Sequence, residues 1–78
     1  MASQRLPVVS GKAVVRALRK AGFELSRVNG SHHAMIHRGP PFRLVSVPVH
    51  GSKPLKVGTF SAILDQAGLT AQEFMALL

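Results

Sequence analysis

Two adjacent histidines, His32 and His33, follow Gly30-Ser31 and open a run of residues that reads as a strand. Histidine is the only side chain whose unperturbed pKa, about 6.5, lets it both take and give a proton near neutral pH. Paired imidazoles at a strand start, in a chain of net charge +7, point to acid–base chemistry on an anionic substrate. Nucleic acid is the first candidate. His33 can act as general base on a ribose 2′-OH or as general acid to a departing 5′-oxygen, help worth roughly 10²–10⁴-fold. The nucleophile of such a reaction is already tethered to the scissile phosphate, so neither a metal nor an enzyme nucleophile is required. A histidine that merely caps the turn or holds a phosphate is the plainer reading of the same residue.

Other chemistries fit less well. Four histidines could offer imidazole to a metal, but the further ligands are missing. Of the three acids, Glu24 falls in a strand, Asp65 in an amphipathic helix and Glu73 in a capping box. That leaves no carboxylate cluster for a two-metal nuclease. A Ser31–His33 nucleophile pair has no acid to orient its base. The absence of cysteine excludes a disulfide framework, a Cys-ligated zinc and a thiol nucleophile. No metal or other cofactor is expected.

Ten Lys and Arg residues against three acids give an isoelectric point near 11.7. They are spread along the chain with no block that would make a tail, so the charge belongs to the folded surface. Such a field attracts phosphate backbones and acidic proteins alike. Lys53 and Lys56 share a basic loop with His50, beside the start of a helix whose free N–H groups also favour anions. A solvated loop is the alternative there, and Arg16, Arg19 and Lys20 read as a solvated helix face. There is no Tyr or Trp, and all four Phe residues are placed as core. Phosphate and shape contacts, rather than base stacking, are therefore the expected recognition.

The elements that must position these residues follow from capping and periodicity. Ser10 N-caps a helix over about Gly11 to Ala21, with Val14, Val15, Leu18 and Ala21 on one face and Gly22 as its stop. Phe23 to Val28 alternates as a half-buried strand, and Asn29-Gly30 is a hairpin signal. His32 to Arg38 returns, Gly39-Pro40-Pro41 breaks the run, and Phe42 to Val47 forms a third strand ended by Pro48. A second helix starts at Gly58 or Thr59, carries Phe60, Ile63, Leu64 and Ala67, and closes at Gly68. Thr70-Ala71-Gln72-Glu73 caps a last short helix. The result is an α+β domain of order α-β-β-β-α-α, a three-stranded antiparallel sheet with helices on one face. Residues 10–78 form this single domain after a flexible segment over 1–9. Alternation puts His33 with Met35 and His37, and His32 with Ala34 and Ile36, so the two histidines cannot act as one adjacent pair. The composition of the two faces leaves open which is the core side. No apolar run approaches the ~18 residues of a membrane span. A soluble cytoplasmic protein with no membrane partner is expected.

One resemblance runs through nearly the whole domain, about residues 10 to 75. Leu18 and Gly22-Phe23, Gly30-Ser31-His32-His33, Val47-Pro48 with His50, and Lys56 with Gly58-Thr59 carry it, continued by Ile63-Leu64, Ala67-Gly68-Leu69 and Glu73-Phe74. In this order and spacing the chain resembles the HicA toxins, small mRNA interferases of bacterial toxin–antitoxin pairs. The resemblance implies a compact relative of the double-stranded-RNA-binding domain, a metal-independent endoribonuclease acting on mRNA, and a cognate HicB-like antitoxin as partner. The family's catalytic histidine ends the Gly-Ser-x-His motif, which falls on His33. Ser31, His32, His50, Lys53 and Lys56 are then the expected RNA-binding residues. A non-catalytic RNA-binding module using the same basic face is the alternative, as is an interaction protein whose basic surface meets only an acidic partner.

Overall fold

A computed structural model describes residues 6–78 of the chain. Helix α1 spans Gly11–Lys20, and the Ser10 hydroxyl accepts from the Ala13 N–H at 3.1 Å. That bond satisfies one of the donors a helix start leaves unpaired. Strands β1 (Glu24–Asn29), β2 (His32–His37) and β3 (Arg43–Pro48) form one antiparallel sheet in the order β1-β2-β3. The β1–β2 hairpin turns one residue later than Asn29-Gly30 implies. Asn29 stays extended and pairs with His32, so Gly30 and Ser31 make the turn. Gly30 carries the positive φ of 61° at the first turn position, where a two-residue turn needs glycine.

Helix α2 spans Val57–Ala67, starting one residue before the expected Gly58, because Lys56 takes the extended N-cap conformation. Its side chain, having no acceptor, makes no cap bond. Gly68 ends α2 in the left-handed conformation. Helix α3 spans Ala71–Met75, and its capping box is complete. The Glu73 N–H donates to Thr70 Oγ1 at 3.0 Å, and the Thr70 N–H donates to Glu73 Oε1 at 2.8 Å.

All three helices contribute to one core against one sheet face. Val14, Ala17 and Leu18 from α1, Phe60, Ile63, Leu64 and Ala67 from α2, and Phe74 from α3 are buried with Met35, Val45 and Val47 of the sheet. Phe60 and Phe74 meet edge-on with ring centroids 4.9 Å apart. Phe42 departs from the expected all-core placement of phenylalanine. It precedes β3 in step with the exposed Leu44 rather than the buried Val45, and it is 62% exposed. Strand β1 overhangs the helical layer, and every one of its residues is exposed. Of the segment expected to be flexible over 1–9, residues 1–5 lie outside the described residues. Leu6 and Val9 rest against the core, and the Val9 carbonyl accepts from the Leu55 N–H at 2.8 Å. Among the described residues no helix is long and apolar enough to cross a membrane.

Gly11 shows how tightly α1 meets the end of the sheet. A Cβ there would run into the Pro48 carbonyl, which is backbone and cannot rotate away. Helix propensity alone favours Gly→Ala by about 0.8–1.0 kcal/mol, but overpacking of this kind costs about 1–3 kcal/mol. The clash wins. Gly11→Ala is expected to destabilise the domain by about 1 kcal/mol or more, read from a shifted urea midpoint at unchanged slope. A variant as stable as the parent would show that Pro48 yields.

Candidate functional site

The burial of Met35 decides which way the histidines of β2 face. Met35 is fully buried under the helices, so His33 and His37 share the core side, and His32, Ala34 and Ile36 lie on the open side. His33 pairs across the sheet with Val28 on β1 and with the fully buried Val47 on β3. It is half-buried, at the rim of the core. Its Nδ1 is buried with no hydrogen-bond partner, the one such side-chain atom among the described residues. With Nδ1 turned into the protein, Nε2 is the nitrogen left to meet a substrate. Among the described residues no carboxylate is hydrogen-bonded to the ring, and no group of three His, Asp or Glu could hold a metal.

His32 lies on the opposite face, exposed, between Asn29 and Pro48. Ser31 sits in the turn, and its carbonyl accepts from the Val49 N–H at 2.7 Å, which ties the turn to the loop after β3. That loop forms an open groove of about 300 Å³, lined by His50, Lys53, Pro54, Leu55, Lys56 and Thr59. Three of the expected RNA-binding residues thus meet in one groove at the start of α2. There the helix N–H groups lack a side-chain cap and the positive dipole end adds to the lysines. The groove also includes Pro48, the residue after His33's partner Val47. His33 itself is not among its lining residues, and neither are Ser31 and His32.

Two residues have structural roles that the linear pattern does not announce. His37, which reads as a plain surface residue, packs its ring 5.2 Å from that of Phe23, and its Nδ1 accepts from the Gly39 N–H at 3.0 Å. Arg43 extends its guanidinium over Gly68 and donates to the Gln66 carbonyl at 3.5 Å, placing a cation at the negative end of α2. An arginine at the start of a strand would be found this way only by knowing that β3 begins beside the end of α2.

A small α+β domain with a rim histidine and a cationic groove is the frame on which the comparison with known families bears. Residues 11–69, which include α1, the whole sheet and α2, match the family described as HicA toxin of bacterial toxin–antitoxin systems. The chain belongs to the HicA toxin family, and it is therefore the toxin of a pair whose other member is a cognate antitoxin. Comparison with curated proteins finds no match.

Proposed function

We propose that this toxin is an endoribonuclease that cuts mRNA in the cytoplasm, with His33 as its general acid/base and no metal or other cofactor. Membership of the HicA family carries the reading, and a half-buried histidine with only one nitrogen turned away from the protein supports it. The ribose 2′-oxygen attacks the adjacent phosphorus as His33 Nε2 takes its proton. The bond from phosphorus to the 5′-oxygen then breaks, and a proton is returned to that oxygen. The products are a 2′,3′-cyclic phosphate and a free 5′-hydroxyl. Cations supply the rest by meeting the charge that develops on the phosphoryl oxygens. Ser31, His32, His50, Lys53 and Lys56 hold the RNA, and a HicB-like antitoxin neutralises the toxin by covering the His33 side. Incubating the purified toxin with single-stranded RNA in EDTA tests the activity. Fragments ending in cyclic phosphate are expected, whereas RNA that is bound but stays intact would make the protein a binding module.

The lysines carry their own prediction. Each phosphate contact to a single strand contributes about 0.7 to the slope of log affinity against log salt. Lys53→Glu with Lys56→Glu is expected to weaken RNA binding and to flatten that slope by about 1–2. Anisotropy titrations of a labelled RNA at several salt concentrations measure both. An unchanged slope would mean that the RNA path avoids the groove.

A further inference from the structure

The inner face of β1 presents apolar side chains that the described part of the domain leaves partly exposed. Leu25 is 38% exposed and Val28 is 52% exposed, although their cross-strand partners are the buried Met35 and the candidate catalytic His33. Antiparallel partners share a face, with Cβ atoms about 4.5–5.5 Å apart. The helices pack mainly on β2 and β3, and every residue of β1 is exposed, so Leu25 and Val28 form a shelf that continues the core outward past His33. Ser26 sits between them where the register shifts, and Arg27, paired with Ala34, lies on the opposite face of the sheet. The shelf is therefore exposed aliphatic surface beside His33, on a domain whose net charge is +7.

We infer that this β1 shelf is the anchor for the antitoxin, taking an apolar side chain flanked by acidic residues. The inference rests on the reading of His33 as the working residue and adds the contact that holds the partner beside it. RNA is the wrong occupant. It binds through phosphate charge and through bases stacked on aromatic rings, and Leu25 and Val28 offer neither. A protein partner gains most from burying such aliphatic surface at the centre of a polar rim. The net charge of +7 supplies the complementary term for an acidic partner. Anything seated on Val28 also lies directly beside His33. Antitoxin binding and RNA binding thus use different side chains on neighbouring ground.

The test separates the two. A Leu25→Ser, Val28→Ser toxin removes the apolar surface without placing a charge next to His33. Calorimetric titration with purified cognate antitoxin is expected to show affinity reduced by about tenfold or more, while RNA cleavage by the variant alone stays within about twofold of the parent. Antitoxin affinity within twofold of the parent, in a variant that melts cooperatively, overturns the inference. Loss of cleavage together with loss of antitoxin binding also overturns it, because the shelf would then belong to the RNA path. If the double variant does not fold, Val28→Thr, which keeps the branched shape and exchanges a methyl for a hydroxyl, decides by the same antitoxin criterion. A parent toxin that dimerises in sedimentation through this shelf, with the double variant monomeric, assigns the surface to a second copy and overturns it as well. A parent that binds antitoxin but cuts no RNA would refute the nuclease reading, and the calorimetric comparison would still judge the shelf.

Discussion

The His33→Ala toxin is expected to fold normally and to lose RNA cleavage by about 10²–10⁴-fold, the range that a positioned acid–base group supplies. Two opposing terms keep the fold. Truncation removes packing against Val47, but it also removes a buried Nδ1 that has no partner. An unsatisfied buried polar atom costs about 1–3 kcal/mol, so its deletion offsets much of the lost packing. The net change in stability should be about 1 kcal/mol or less. His33→Gln should lose as much activity, since an amide can hydrogen-bond to RNA but cannot carry the proton. His32→Ala, on the open face of the sheet, should do far less. Single-turnover cleavage assays with urea melts of each variant measure both effects. If His32→Ala is as damaging as His33→Ala, or if His33→Ala cuts at near the parental rate, the roles given to the two residues are wrong.

Much of this architecture is written in local chemistry, and the exceptions share a cause. Ser10, Gly68 and the Thr70–Glu73 pair declare helix ends within three or four residues, so the caps are legible directly. The groove residues His50, Lys53 and Lys56 are close in sequence, and a short loop brings them together with little help from the rest of the fold. Which face of β2 is buried is another matter. His33, Met35 and His37 are no more apolar as a set than His32, Ala34 and Ile36. The choice is made by Val45 and Val47 and the helices that pack over Met35. Arg43 over Gly68, His37 against Phe23 and Gly11 against Pro48 are long-range contacts of the same kind. Each depends on where a distant element arrives, and no local signal encodes that arrival. Phe42 errs in the opposite sense, because it is in step with the exposed Leu44 and not with the buried Val45 and Val47, and an aromatic side chain alone does not make a core position.

A substrate with 2′-deoxyribose on the 5′ side of the cut should bind almost as well as RNA and remain whole. The argument turns on where the nucleophile comes from. The described part of this domain offers no residue placed to attack phosphorus: Ser31 makes no side-chain hydrogen bond to a base, and no acid orients His33. On the proposed reading the attacking oxygen belongs to the substrate. Intramolecular attack gains from proximity, with effective molarities that reach about 10⁵–10⁸ M in well-oriented systems. Deleting that one oxygen removes the entire advantage, while the phosphate contacts proposed for the lysine groove, which should supply most of the affinity, are untouched. The expected result is a deoxy-substituted oligonucleotide that competes with RNA at comparable concentration and yields no fragment. Its all-ribose parent should yield a 5′ fragment ending in 2′,3′-cyclic phosphate, with EDTA present or absent, as mass spectrometry of the products would show. A deoxy substrate that is cut, or RNA cleavage that stops completely in EDTA, would put the nucleophile on water or a metal and remove His33 from the centre of the reaction.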